Sequence, residues 1–308
     1  MPRNTSASIH QRLLNQAKET GRPFNELLQY FAMERFLYRL SQSKYKNEFV
    51  LKGALLFRIW STPDSRATRD IDFLGHVENS TEGLIRIVQQ ILTSDVPGDG
   101  LAFDSQSVRA ERIKEDADYE GVRLRLDGRL GNARVHLQID VGFGDVVHPS
   151  AVESQYPTLL DHRAPILRTY PPETVVAEKV EAMVHLGGLN SRFKDFYDIW
   201  RLARQQAFDG EDLQTSIEKT FENRSTDVVP FEAVQEGLLQ SGNSEAQWKA
   251  FLEKSNLSGP ASFTAVLDEI GTLLSPVLES ILNRETFEGT WNPPGPWRTR
   301  GASRSSSP

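Results

Sequence analysis

Two aspartates separated by one residue, Asp70 and Asp72, are the clearest candidates for chemistry in this sequence. Residues 70–74 are predicted to form a strand, and residues two apart on a strand point to the same face of a sheet. Such carboxylates are hard oxygen ligands, which Mg²⁺ uses when nucleotide phosphates supply its other ligands. Alone, the pair is weak evidence, because solvated loop carboxylates show the same spacing.

A third carboxylate, Asp140, lies near the end of another predicted strand, residues 133–141. Alternation of apolar and polar residues places Asp140 on one face with His136 and Gln138. From a neighbouring strand, Asp140 would complete the metal site or activate an attacking hydroxyl. The alternative is an aspartate that caps the turn after the strand.

Several residues before the aspartate pair have the chemistry to bind phosphate. Gly53 begins a predicted helix that runs to Trp60, and the free N–H groups of a helix start bind anions. Thr68 offers a hydroxyl, and Arg66 or Arg69 offers positive charge. An ordinary helix start and a polar loop are the alternatives.

A further candidate group lies much later in the chain. Lys179 is in a strong helix-forming segment, and Asp195 and Asp198 share one side of the next predicted helix. Facing the aspartate pair, these residues would bind a triphosphate and orient the acceptor. The alternative is two surface ion pairs, Glu178–Lys179 and Lys194–Asp198, each worth under about 1 kcal/mol.

The predicted elements change in character along the chain. Strands and helices alternate at first, with a hairpin connection predicted at residues 127–132, and from Pro172 onward nearly every segment is typical of a helix. We therefore expect an α+β chain, with a domain at residues 1–165 and a helical domain at residues 166–285. Residues 286–308 are predicted to be disordered, because Pro, Gly, Ser and Arg dominate there. An early helix, residues 24–40, is expected to carry Glu34, Arg35 and Arg39 on its surface.

Composition excludes several classes of protein. The 308 residues are 38% hydrophobic and 25% charged, as in a soluble globular protein, and include no cysteine for disulfides, thiolate metal sites or nucleophiles. No apolar run would span a membrane, and no signal peptide is evident, so we expect a cytoplasmic protein with no membrane partner. The net charge of −7 argues against a protein that coats DNA but allows a local basic patch for RNA.

Four segments, in this order, resemble the successive motifs of the AbiEii/AbiGii nucleotidyltransferase toxin family. They are residues 52–56, 66–72, 177–179 and 192–198, and the resemblance spans roughly residues 8–205. It implies a DNA polymerase β-like nucleotidyltransferase core, a mixed sheet flanked by helices, followed by an all-helical domain. It also implies nucleotide transfer from an NTP with Mg²⁺, or Mn²⁺ in its place. In characterised relatives the acceptor is the 3′ end of tRNA, translation and growth stop, and a cognate antitoxin is encoded nearby, often for phage defence.

The resemblance also assigns roles by position. Asp70 and Asp72 match the metal-binding pair, and Lys179 matches a lysine that contacts the triphosphate. Asp195 and Asp198 are both candidates for the catalytic carboxylate of the last motif. The other residues expected to bind the nucleotide are Lys52, Gly53, Arg66 and Thr68.

The sequence departs from the family pattern at two positions, and two other functions are compatible with the same residues. Ala54 stands where a second glycine is common, which reduces the room for phosphate, and Thr68 replaces a common serine but keeps the hydroxyl. The same metal site would also serve transfer to a small molecule or to a protein hydroxyl. A non-catalytic NTP-binding protein is the third hypothesis, and the presence of both Asp70 and Asp72 speaks against it.

Overall fold

A computed structural model describes residues 5–60, 66–116, 119–240 and 242–299. The chain divides into two compact units. The first comprises Met1–Thr62, Ala67–Gly144 and Val152–Thr169, and the second comprises Pro63–Arg66, Asp145–Ala151 and Tyr170–Pro308. Among the described helices, none has both the length and the apolar character that a membrane span requires.

A seven-stranded mixed sheet is the centre of the first unit. Its strands are β1 (Phe49–Lys52), β2 (Asp70–Gly75), β3 (Leu101–Asp116), β4 (Tyr119–Leu130), β5 (Ala133–Gly142), β6 (Val152–Gln155) and β7 (Ile166–Thr169). Their order is β3-β4-β5-β2-β1-β7-β6, with β2–β5 and β1–β7 parallel and the other pairs antiparallel. This arrangement confirms the predicted mixed sheet.

Helices pack on the apolar face of this sheet. They are α1 (Thr5–Thr20), α2 (Phe24–Gln42) and α4 (Thr81–Leu92), while the single turn of α3 (Leu56–Ile59) follows β1 in the chain. In β5 the apolar residues Val135, Leu137 and Ile139 are buried, while Arg134 and His136 on the other face are exposed. The period-two alternation therefore separates a core face from a polar face, and the candidate aspartates lie on the polar one.

Strand β3 was not predicted, and the hairpin after it is tighter than expected. The β3–β4 register shifts between Asp104 and Arg109, so a bulge interrupts the alternation by which a strand is recognised. In the hairpin, β4 continues to Leu130 and β5 starts at Ala133, so the turn contains only residues 131–132. The expected connection at 127–132 was too long because its polar residues belong to the polar face of β4.

The prediction that α2 carries its charged residues on the surface was wrong. Glu34, Arg35 and Arg39 are 1%, 2% and 7% exposed. Glu34 pairs with Arg35 and accepts the Leu159 N–H, and Arg39 donates two hydrogen bonds to Asp99. Burial, only partly offset by Arg35, raises the pKa of Glu34 to about 7. Paired charges can thus occupy positions that a polarity pattern assigns to solvent.

The second unit is mainly helical, as predicted. Its helices are α5 (Pro172–Leu186), α6 (Phe193–Gln205), α7 (Gly210–Asn223), α8 (Phe231–Gln240), α9 (Ser244–Ser255) and α10 (Phe263–Asn283). Aromatic side chains from α6, α9 and α10 form the core, where Phe193 and Phe196 each meet Phe263 with ring centroids 5.1 Å apart. These helices form because apolar residues recur at helical spacing and their large aromatic side chains pack against one another.

Part of the expected disordered tail is structured. Strands β9 (Gly289–Trp291) and β10 (Trp297–Thr299) form a three-stranded sheet with β8 (Phe208–Asp209). Trp291 is 1% exposed, and its indole N–H donates to the Ala203 carbonyl at 2.6 Å. The buried Trp291 side chain supplies the apolar contact area that orders this segment, which the Pro, Gly and Ser content alone does not provide. Residues 300–308 lie outside the described part of the chain.

Candidate active site

The structure brings the three candidate carboxylates of the first unit together. Parallel pairing of β2 with β5 sets Asp72 opposite Asp140 and Asp70 opposite Gln138. Carboxylate oxygens of Asp70, Asp72 and Asp140 lie within 4.8 Å of one another. Asp70 and Asp72 are half-buried, and Asp140 is buried. We call these three residues the acidic triad.

Asp140 is also engaged by an arginine that the motifs do not include. Arg123 on β4 donates from Nε to Asp140 Oδ1 at 2.9 Å and from Nη2 to Oδ2 at 2.8 Å. These hydrogen bonds, with the nearby negative charge, raise the pKa of Arg123 although partial burial opposes the charge. A carboxylate has about four lone-pair positions, so a paired Asp140 keeps the capacity to bind a cation.

Thr68 orients a member of the triad. Its hydroxyl donates to Asp70 Oδ1, and its backbone N–H donates to the Tyr30 hydroxyl at 3.1 Å. The side chain is buried, and exposed Arg69 follows it. The hydroxyl therefore holds a carboxylate in this structure, rather than pointing outward to a phosphate as the sequence had suggested.

Gly53 makes room for Asp72. Its φ of +71° lies in the left-handed region, and a Cβ built on it would collide with the Asp72 carboxylate. The expected helix to Trp60 is only a 3₁₀ turn at Gly53–Leu55 followed by the single turn of α3, Leu56–Ile59. A helix this short has a small dipole, so the glycine is explained by the approach of Asp72 more than by anion binding.

Two neighbours of Gly53 in the first motif are buried. Lys52 lies opposite Asp72 in the β1–β2 ladder and is 9% exposed. Ala54, which stands where a second glycine is common, is 6% exposed. Lys52 thus places one positive charge on the strand next to the acidic triad.

The donor set of the triad fits a divalent metal. Three carboxylates face two nearby cations, Arg123 and Lys52, which leaves an excess of one negative charge. All the ligand atoms are oxygens, which hard cations such as Mg²⁺ and Mn²⁺ prefer. A metal ion can therefore be held by these residues, and the donor set alone does not identify which ion.

The second unit contains a separate cluster of charges, which we call the buried ion cluster. Lys179 Nζ lies 2.6 Å from Asp195 Oδ1 and 2.9 Å from Asp198 Oδ2. Arg66 donates from Nε and Nη2 to the two oxygens of Asp198, each at 3.1 Å. Arg192 Nε lies 2.9 Å from Asp195 Oδ2. Three cations therefore surround two carboxylates.

Burial and charge act in opposite directions on this cluster. Burial disfavours the ammonium of Lys179, but Asp195 and Asp198 outweigh it, and the pKa of Lys179 is raised. Burial likewise disfavours ionised Asp195, but Lys179 and Arg192 outweigh it and hold its pKa below the usual value. Lys179 and Asp195 thus stay charged at neutral pH. The alternative of a surface ion pair between Lys194 and Asp198 was wrong, because Asp198 is 2% exposed.

The comparison with known proteins now identifies the family. The family described as nucleotidyl transferase AbiEii toxin, type IV TA system, matches residues 35–269. The chain belongs to this family. It is therefore a nucleotidyltransferase and the toxin member of a type IV toxin–antitoxin system, which implies an NTP substrate and a cognate antitoxin.

Two solved structures also match the AbiEii-family chain. One, a candidate nucleotidyltransferase from H. pylori, is 14% identical, covers 85% of this chain and 98% of its own, and has a TM-score of 0.44. The other, JHP933 from Helicobacter pylori, is 13% identical, covers 84% and 94%, and has a TM-score of 0.42. No curated protein matches the chain.

Two charged residues near these sites were missed from the sequence. Arg123 lies on a correctly predicted strand, but its position opposite Asp140 depends on the hairpin register. Arg224 contacts Glu181 at 2.8 Å and Asp145 at 3.1 Å within the second unit, and this toxin's motifs do not point to it. The alternation of apolar and polar residues along β4 is sufficient to place Arg123 on the polar face. The residues around Arg224 give no comparable signal.

Proposed function

We propose that this toxin transfers a nucleotide from an NTP to the 3′ end of tRNA, with Mg²⁺ or Mn²⁺ as the cofactor. The observation that carries the proposal is the acidic triad, whose carboxylate oxygens lie within 4.8 Å of one another. Family membership supplies the reaction class, and the resemblance of the four motifs to characterised tRNA-modifying relatives supports the acceptor.

Each residue of the triad has a distinct part in this proposal. Asp70 and Asp72 hold the metal, which when bound neutralises phosphate charge and acidifies the attacking hydroxyl. Thr68 fixes the orientation of Asp70. Arg123 holds both oxygens of Asp140, which favours a fixed third ligand over a group that accepts and releases the hydroxyl proton.

The reaction follows from these positions. The 3′ hydroxyl of the acceptor loses its proton to solvent water and attacks the α-phosphate in line, and pyrophosphate leaves with the electrons of the broken P–O bond. Charge neutralisation and alignment of the two reactants supply the rate enhancement, because the protein forms no covalent bond to the nucleotide. Gly53 permits the approach of Asp72 that this alignment needs.

Phosphate contacts are proposed for positively charged residues of the matching motifs. Lys52 lies on the strand beside the triad. The buried ion cluster holds three cations, Lys179, Arg66 and Arg192, against two carboxylates, so one positive charge is in surplus. That surplus supports the assignment of Lys179 as a triphosphate contact, with Asp195 or Asp198 as the catalytic carboxylate of the last motif.

The biological setting is also part of the proposal. Residues 1–165 would be the catalytic domain and residues 166–285 a helical domain. NTPs and tRNA are cytoplasmic, so we place the reaction there, where loss of functional tRNA would stop translation and growth. Such an activity, held in check by the antitoxin until infection, would serve phage defence.

An experiment with labelled nucleotides tests the function. The protein is incubated with each α-³²P-labelled NTP, Mg²⁺ and total cellular RNA, and RNA 3′ ends are then sequenced. We expect label in tRNA, added at the 3′ end, and none with EDTA or with Asp72→Asn. Label in a small metabolite or a protein, with RNA untouched, would replace the acceptor. NTP binding without transfer, unaffected by EDTA and by Asp72→Asn, would replace catalysis with binding.

A further inference from the structure

We propose that the end of the polar sheet face distant from the acidic triad binds the backbone of single-stranded RNA through Arg129 and Arg134. The proposal rests on the proposed function in one respect, namely that the acceptor is RNA. It adds a binding surface outside the four motifs, built from β3, β4 and β5 of the first unit.

The central observation is a pair of like charges facing each other. Arg129 on β4 and Arg134 on β5 are directly opposite in the antiparallel ladder, and both are exposed. Like charges at such positions destabilise a sheet. Within the ranges that the structure describes, neither guanidinium has an ion pair or hydrogen bond. An anionic ligand would convert this repulsion into binding energy.

A cavity lies beside the two arginines. It has a volume of about 250 Å³, and its lining includes Arg129, Arg134, His136 and Phe103. His136 Nδ1 lies 2.5 Å from Asp127 Oδ1, so the ring is held in place. Guanidinium groups bind phosphate oxygens, and the exposed ring of His136 offers a surface for a base. The Phe103 ring lies on the core face with Val135, under Arg39, and takes no part in this surface. The lining therefore matches both parts of a nucleotide.

Other charges on the same face already have partners. Arg125 pairs with Glu111 at 2.8 Å, and Arg123 pairs with Asp140 at 2.8 Å. Asp104, which also lines the cavity, accepts the Gln106 N–H. Two carboxylates, Asp104 and Asp127, also line the cavity, so the excess of positive charge is confined to the rung of Arg129 and Arg134, where the β3 residue is Ala102. Two adjacent positive charges of this kind attract an anionic group such as a phosphate.

The distance to the acidic triad decides which part of the acceptor would bind. Arg134 and Asp140 are on the same strand, and a separation of six residues spans about 20 Å at roughly 3.3 Å per residue. The cavity is therefore too far away to hold the phosphates of an NTP bound by the triad. It suits a nucleotide several positions before the reacting 3′ end, which would align the acceptor strand along β5.

Charge-neutralising variants test the proposal by direct binding. Arg129→Gln/Arg134→Gln is compared with Lys18→Gln/Arg86→Gln, which removes two exposed charges from helices of the same unit. Fluorescence anisotropy with a labelled single-stranded RNA oligonucleotide is measured over a range of salt concentrations. For the arginine variant we expect roughly tenfold weaker binding and a log–log salt slope smaller by about 1.4, or 0.7 for each lost phosphate contact. The control should bind as the wild type does.

Turnover measurements separate this proposal from the proposed function. In the transfer assay, the arginine variant should raise KM for tRNA and leave KM for the NTP unchanged. Wild-type RNA affinity and salt slope in the arginine variant would overturn the proposal, as would a raised KM for the NTP alone. Arginine-dependent RNA binding by a protein that labels no RNA would support the RNA surface while refuting tRNA as acceptor.

Discussion

The acidic triad and the buried ion cluster differ in how their carboxylates are paired with cations. In the triad, three carboxylates converge on half-buried positions of β2 and β5, with one arginine paired to Asp140. In the cluster, Asp195 and Asp198 are each 2% exposed, and every carboxylate is matched by two cations. The triad therefore has an excess of negative charge, whereas the cluster has an excess of one positive charge and both of its carboxylates are paired.

The difference separates a group that only a ligand stabilises from a group that also stabilises the fold. Clustered carboxylates repel one another, so the triad costs stability until a cation binds. Paired buried charges behave oppositely, because removal of one partner leaves an uncompensated charge in a low-dielectric interior. We therefore expect changes in the triad to affect turnover alone and changes in the cluster to affect both turnover and unfolding.

The largest effect is expected from Asp72→Asn. Loss of one carboxylate should reduce nucleotide transfer about 10³-fold, which corresponds to roughly 4 kcal/mol of transition-state stabilisation. The unfolding temperature should stay the same or rise, because repulsion within the triad decreases. Asp95→Asn, at an exposed position, is the matched control and should leave transfer unchanged. A folded Asp72→Asn protein with wild-type turnover would contradict the proposed metal site.

Lys179→Met should act mainly on stability. It removes the two contacts that the ammonium makes with Asp195 and Asp198, although each carboxylate keeps one arginine. At about 1.5–3 kcal/mol for each hydrogen bond to a charged group, we expect a loss of about 3–5 kcal/mol in the free energy of unfolding, measured by urea denaturation. Lys194→Met removes an exposed lysine of α6 and should change it by less than about 0.5 kcal/mol. The KM for the NTP should also rise, because Lys179 is the proposed triphosphate contact. If Lys179→Met is as stable as the wild type, the cluster does not stabilise the fold and the contrast with the triad is lost.

The pH dependence of stability should differ in sign between a buried acid of each unit. The pKa of Glu34 is raised from 4.5 to about 7, so the stability it contributes is complete below pH 4.5 and falls by about 3 kcal/mol as pH rises through 7. The pKa of Asp195 is lowered, so its contribution is present above pH 3.8 and is lost on further acidification.

Denaturation of Glu34→Gln at several pH values checks the first of these effects. The variant should be more stable than the wild type above pH 7 and should lose the fall between pH 4.5 and 7. Glu19→Gln, an exposed residue of α1, serves as the control. A wild-type pH profile in Glu34→Gln would mean that another group titrates.

The smallest effect is expected from Gly53→Ala, for which the chain offers a close control. Gly53 and Gly21 have φ values of +71° and +69°, but an added Cβ meets the Asp72 carboxylate only at Gly53. Both variants should lose about 1 kcal/mol of stability from backbone strain. Gly53→Ala alone should also lose roughly tenfold in turnover as Asp72 is displaced. Equal turnover in the two variants would show that the position of Asp72 tolerates this shift.

Local patterns were sufficient where a property depends on neighbours in the chain. Alternation in residues 133–141 predicted β5 and its polar face, and the two-residue spacing of Asp70 and Asp72 predicted that they share a face. Helical spacing predicted α4 and most of the second unit. The bulge in β3 broke such a pattern, so that strand was not found.

The sequence by itself determined which residue types could do chemistry, because spacing on a strand or helix follows from backbone geometry. Tertiary structure decided how each charge is satisfied. Hairpin register pairs Asp140 with Arg123 and sets Arg129 against Arg134, while long-range packing buries Glu34 and gives Asp198 two cations. Burial and partners depend on residues far apart in the chain, and they decide whether a charged residue binds a ligand or holds the fold together.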